Sequence, residues 1–104
     1  MSSELNKLTV LGAGVLGGQI AWHSAYMGKD VVVYDLFDEA LGRCRVAHEH
    51  YAEIYRADLG ASDEQLSQTR QRLRYSTDLA DAVALHFTLP LFGIVLAIVM
   101  LHEA

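Results

Sequence analysis

Apolar and polar positions change their spacing several times along the chain, and each change marks an element. Residues 7–11, Lys7-Leu8-Thr9-Val10-Leu11, are a short, apolar, β-branched run that stops at glycine, the pattern of a buried strand. A glycine cluster from Gly12 to Gly18 follows. From Gln19 to Met27 the apolar positions Ile20, Ala21, Ser24/Ala25 and Met27 recur at helical spacing. Gly28 stands where a glycine ends a helix. Val31-Val32-Val33-Tyr34 is apolar on both faces, as a central parallel strand should be. Asp38 is placed to cap a long helix from Glu39 to about Asp58, with Leu41, Cys44, Ala47/His48, Tyr51 and Ile54/Tyr55 as its apolar stripe and Gly60 as its end. Ser62-Asp63-Glu64-Gln65 has capping-box spacing for a further helix. Leu73-Arg74-Tyr75-Ser76 reads as a third strand, and residues 77–83 as another capped helical start. The order β-α-β-α-α-β-α predicts an α/β fold, a parallel sheet joined by right-handed crossovers with helices on both faces.

Composition narrows the size and the company this fold keeps. At 104 residues the chain is one domain or less, and 52% apolar with 20% charged residues is enough to bury a core. Thirteen acidic against eight basic residues, a net charge of −5, argue against non-specific nucleic-acid binding. A single cysteine, Cys44, cannot form an internal disulfide, so a reducing, cytoplasmic setting is expected. The first seven residues have no apolar core segment of the kind a secretory signal needs. Charge is unevenly spread, because residues 82–102 contain no Lys, Arg, Asp or Glu. The expected division is therefore 1–83 as the folded α/β unit and 84–104 as an apolar tail. Three readings of that tail stand side by side: core packed on the truncated sheet, a foreign tail from a shifted reading frame, or a membrane anchor. Each leaves an uncharged end that favours self-association.

The chemistry is concentrated at the glycine cluster. Gly12-Ala13-Gly14-Val15-Leu16-Gly17 fits G-x-G-x-x-G, a weak signal alone. Its context strengthens it: the motif follows a strand, opens a helix and sits in a βαβ unit that ends at Asp35, 18 residues past Gly17. Gly12 permits the tight turn, Gly14 lets backbone approach a diphosphate, and Gly17 lets helix lie close to strand. The helix start attracts the diphosphate through its N–H groups and dipole. Asp35 can accept from the adenosine ribose hydroxyls and would repel a 2′-phosphate. No Lys or Arg follows until Arg43, two turns into the next helix, which favours NAD over NADP. FAD uses a similar fingerprint, and a glycine-rich turn that binds nothing is the plain structural reading.

Residues 8–22, from Leu8 to Trp22 through the glycine loop, followed by Val33-Tyr34-Asp35 and by Arg74-Tyr75-Ser76-Thr77-Asp78-Leu79-Ala80-Asp81-Ala82-Val83, resemble the 3-hydroxyacyl-CoA dehydrogenase family, in its 3-hydroxybutyryl-CoA dehydrogenase-like branch. The likeness covers about residues 5–83 and implies a Rossmann-type fold with NAD as cofactor. It implies that Gly12, Ala13, Gly14, Val15, Leu16 and Gly17 carry the diphosphate and Asp35 the adenosine ribose. Family members oxidise a 3-hydroxyacyl-CoA to the 3-ketoacyl-CoA. Their catalytic His–Glu pair, its Ser and Asn partners and the helical dimerisation domain lie beyond the matched stretch, so no catalytic residue is assigned here, and acyl-CoA is expected as a partner only in a full-length member. After Val83 the family's Glu-Ala-x-Pro-Glu-like strand end is replaced by the apolar tail. The expected function is an NAD-binding N-terminal fragment, not catalytic alone. The alternatives are a vestigial nucleotide-binding module, an FAD-binding fragment and a membrane-tethered interaction protein.

Other residues carry plainer readings. His48-Glu49-His50 is not a zinc motif, since histidines at i and i+2 face different sides of a helix. His23 reads as a surface or packing residue, Cys44 as a buried thiol, and Tyr51 and Tyr55 as core-facing. Asp78 and Asp81 suit a helix start.

Overall fold

A computed structural model describes residues 6–86, with the side chains of residues 84–86 left aside. Three strands form a parallel sheet in the order β1 (Lys7–Leu11), β2 (Asp30–Tyr34), β3 (Leu73–Ser76). The connections are α1 (Val15–Tyr26) between β1 and β2, then α2 (Asp38–Leu59) and α3 (Asp63–Arg72) between β2 and β3. A fourth helix, α4 (Leu79–His86), follows β3. This is a small Rossmann-type α/β fold, as the hydropathy pattern predicts. The readings placed on residues 87–104 lie outside the described residues. Among the described residues, no helix is long and apolar enough to cross a membrane.

The two-residue period of the strands sorts the helices onto two faces. Val10 on β1, Val31 and Val33 on β2 and Leu73 on β3 join one core with Ala21, Trp22 and Ala25 of α1, Leu41, Cys44 and Ala52 of α2, and Leu66 of α3. Thr9 and Val32, paired across β1 and β2, point the other way. Thr9 Oγ1 donates to the Ala82 carbonyl of α4 at 3.2 Å, and Arg74, paired with Val32, reaches Asp81 of α4 at 3.4 Å. β2 is central, and all three of its valines are buried.

Helix ends show where local sequence decides and where packing overrides it. Gly60 ends α2 in the left-handed region at φ 68°, and Gly28 follows α1 at φ 108°. Arg72 Nη1 donates to the Ala25 carbonyl at 2.9 Å and so helps close the C-terminal end of α1. Asp78 caps α4 by accepting from the Asp81 N–H at 3.2 Å. Two boundaries differ from expectation. α1 opens at Val15, not Gln19, because Gly17 and Gly18 are buried inside the helix and tertiary contact outweighs their poor propensity. Asp38 is the first residue of α2 and not its cap. Phe37 holds the cap position and makes no side-chain cap bond. Met27 and Ile54, placed on apolar stripes, are 67% and 39% exposed. The largest buried side chain is Trp22.

Candidate functional site

The site is built at the end of the sheet where β1 and β2 both finish. β1 leads into Gly12, whose φ of 111° is closed to residues with a Cβ. Gly12 N–H donates to the Tyr34 carbonyl at 2.6 Å, tying the two strand ends together. The chain then reverses into α1, with Gly14 at the N-cap. Gly14 has φ −73° and ψ −174°, which any residue can adopt, so what glycine contributes there is the lack of a Cβ. No side chain caps α1, and its first turn holds no acidic residue. The positive end of the helix dipole is therefore not compensated by any carboxylate of α1 itself.

Asp35 follows β2 directly and faces the glycine loop. Its Oδ2 accepts from Ala13 N–H at 2.9 Å and its Oδ1 from Phe37 N–H at 3.1 Å. Each carboxylate oxygen has a second lone pair for another donor. A cavity of about 310 Å³ opens here, lined by Ala13, Gly14 and Val15 from the loop, by Asp35, and by Arg43, Cys44 and Tyr51 from α2. Burial pushes the Cys44 thiol up to about 11, against the pull of Arg45, so it lines the cavity as a neutral group. Leu36 and Phe37, beside Asp35, are 67% and 61% exposed, an apolar rim next to a carboxylate.

The loop is braced from behind by a buried histidine. His48 of α2 is 1% exposed, with Nε2 2.8 Å from the Gly18 carbonyl and Nδ1 2.6 Å from the Tyr75 hydroxyl. A carbonyl only accepts, so Nε2 carries the proton and Nδ1 accepts from Tyr75. Burial holds the His48 pKa below the ordinary histidine value, opposed by the Gly18 carbonyl and the Glu49 carboxylate. A Cβ on Gly18 would stand 3.5 Å from Cys44 Sγ, which is how closely α1 and α2 approach. Arg45 stacks its guanidinium 4.6 Å above the Tyr75 ring and completes this cluster.

The geometry gathers most of the residues singled out in the sequence. Gly12, Ala13, Gly14, Val15 and Asp35 meet at one end of the sheet. Leu16 and Gly17 lie in the first turn of α1 without lining the cavity; Gly17 is buried and Leu16 is 41% exposed. Cys44 is buried, and Tyr51 and Tyr55 pack against the core. His23 is at the surface, with Nδ1 2.7 Å from the Tyr55 hydroxyl. His48 and His50 face opposite environments, one buried and one exposed. Sequence reasoning missed the α2 wall of the cavity. Its signal was present, since Ala40, Arg43, Cys44, Ala47 and Tyr51 follow helical spacing and share one face.

Comparison with known proteins gives this geometry a family. Residues 7–89 match the 3-hydroxyacyl-CoA dehydrogenase, NAD binding domain. A probable 3-hydroxyacyl-CoA dehydrogenase of Caenorhabditis elegans is 31% identical over 90 residues, 78% of this chain and 28% of that protein. The fatty acid oxidation complex subunit alpha of Colwellia psychrerythraea is 51% identical over 40 residues, 38% of this chain and 6% of that protein. The solved structure of a diketoreductase superposes with a TM-score of 0.70 at 40% identity, covering 75% of this chain and 28% of that one. This chain thus spans less than a third of the length of these relatives. It belongs to the 3-hydroxyacyl-CoA dehydrogenase family and corresponds to the family's NAD-binding domain.

Proposed function

We propose that this chain holds NAD with its diphosphate on the glycine loop and its adenosine ribose on Asp35, as the cofactor-holding part of an oxidoreductase acting on 3-hydroxyacyl-CoA thioesters. The observation that carries the reading is the meeting, in one cavity, of an α1 start without a side-chain cap and the Asp35 carboxylate. The residues present fit the cofactor. A Cβ at Gly14 would crowd the loop where a diphosphate must approach, and Asp35 keeps acceptor capacity after binding Ala13 and Phe37. Exposed Leu36 and Phe37 offer the adenine an apolar surface beside that carboxylate. NAD, when bound, supplies the hydride acceptor for alcohol oxidation. The part played by residues 1–83 is to bind and orient: Gly12 to Gly17 fix one end, Asp35 the other, and His48 keeps the loop's helix in place.

Removal of the alcohol proton needs a base held against the substrate, and the titratable groups lining this cavity (Asp35, Arg43, Cys44, Tyr51) are placed for cofactor and not for that role. The proposal therefore gives residues 1–83 cofactor binding without catalysis of their own. It assigns residues 84–104 to an apolar tail that promotes self-association, and the whole to the cytoplasm. NADH titration of the purified chain, followed by fluorescence, tests the reading. Saturable binding is expected, weakened at least about a hundredfold in Asp35→Ala and in Gly14→Val. Equal affinity in wild type and both variants would sink it. Light scattering at rising concentration tests the tail, and a strictly monomeric chain would count against self-association.

A further inference from the structure

We propose that Arg43 is a second determinant of cofactor choice, acting against Asp35 from the opposite wall of the same cavity. The inference rests on the reading of that cavity as the ribose end of the dinucleotide site. Distance along the sequence puts Arg43 in the second turn of α2 and away from the ribose. The fold reverses that impression. Arg43, Asp35, Ala13 and Gly14 line one cavity of about 310 Å³. Side chains on a helix lean toward its N-terminus, and the N-terminus of α2 is the end that follows Asp35, so the Arg43 stem leans toward the Asp35 end of the helix. Arg43 is exposed, and among the described residues it enters no ion pair. Its charge is thus not committed to structure.

The two groups act oppositely on a 2′-phosphate, which carries a charge of about −1.5 to −2 near neutral pH. Asp35 repels it, and acidic Asp38 and Glu39 in the first turn of α2 add to that sign. Arg43 attracts it, and a guanidinium offers forked donors matched to phosphate oxygens. With Asp35 ionised the carboxylate prevails and NAD is preferred. Arg43 then sets how large the preference is. Once the Asp35 charge is removed, Arg43 becomes the phosphate's partner without any further change.

The test measures affinities of the full chain for NADH and NADPH in wild type, Arg43→Ala, Asp35→Asn and the double variant. Asparagine keeps a carbonyl oxygen for one of the two loop N–H groups, and circular dichroism confirms that each variant is folded. Expected is an NADPH/NADH discrimination that widens about tenfold in Arg43→Ala and narrows about tenfold or more in Asp35→Asn. In the double variant the NADPH gained by Asp35→Asn is lost again. Competition by adenosine 2′,5′-bisphosphate against 5′-AMP should follow the same order, which isolates the ribose end. If Arg43→Ala shifts both cofactors equally, or neither, the assignment of Arg43 falls while the ribose site stands. If wild type shows no saturable NADH binding, both fall together.

Discussion

The starts of α1 and α3 are the same structural problem solved in two ways. Every helix begins with backbone N–H groups that have no partner inside the helix. α3 answers with its own sequence. Ser62 Oγ accepts from Gln65 N–H at 3.1 Å, Gln65 Oε1 accepts from Ser62 N–H at 2.8 Å, and Asp63 and Glu64 supply negative charge to the first turn. α1 has neither a capping side chain nor a first-turn acid. Its position is set from outside: Asp35 holds Ala13, the Tyr34 carbonyl holds Gly12, and His48 holds the Gly18 carbonyl. A helix start completed by its own residues is scaffold. One fixed by distant residues, with no capping side chain and no acid in its own first turn, leaves its N–H groups open to an anionic ligand.

The comparison can be broken at either end. The largest effect is expected from His48→Ala. It deletes the brace of α1 and leaves the half-buried Tyr75 hydroxyl without its partner, costing about 2–4 kcal/mol in urea denaturation. NADH affinity should fall with it, and an unchanged affinity would show that α1 does not need this support. Ser62→Ala comes next, at about 1 kcal/mol of stability from loss of the capping box, with NADH titration unmoved. A parallel loss of binding there would erase the distinction between the two starts.

A pH series sharpens the role of His48. Its folded pKa lies below the unfolded value of about 6.5 because burial penalises the charged ring. The unfolded chain therefore takes up the proton first as pH falls. The stability tied to the neutral ring is fully present above about pH 6.5 and is lost as pH drops from there toward the folded pKa. His48→Gln should flatten this acid-side loss between pH 8 and 5, and an identical slope in both proteins would contradict it. The Glu49 carboxylate, held below its ordinary range by its bond to Arg70, contributes only at lower pH. The smallest effect is expected from Glu49→Gln. This breaks the paired 2.9 Å contacts to Arg70 between α2 and α3, but both side chains are well exposed, so a few tenths of a kcal/mol in thermal unfolding is expected.

Much of this architecture was legible from residue order. The valine run of β2, the glycine exits at Gly28 and Gly60 and the capping box at Ser62 are local signals, and the structure follows them. The glycine loop and Asp35 could be paired because the βαβ unit fixes how strand ends align. The errors occur where neighbours far along the chain decide. The apolar spacing starts the helix at Gln19, after the glycine cluster, yet Gly17 and Gly18 are buried within α1, with Gly18 against Cys44 and His48 of α2. Asp38 has the side chain of a cap, but Phe37 occupies that position, and Asp35 holds the turn by accepting from Phe37 N–H.

Sequence by itself determined the element order, the parallel topology, the family likeness and the place of the cofactor fingerprint. These depend on periodicity, turn chemistry and spacing, all of which act over a few residues or one crossover. Tertiary structure alone decided that Arg43 shares a cavity with Asp35, that His48 is a neutral buried brace between Gly18 and Tyr75, and that Trp22 is the largest residue in the core. The reason is physical. Gly18, His48 and Tyr75 lie on three elements far apart in the chain and meet only by burial on a shared sheet, Trp22 is enclosed by that same packing, and Arg43 meets Asp35 only through the way α2 is set against the glycine loop, which no local periodicity reveals.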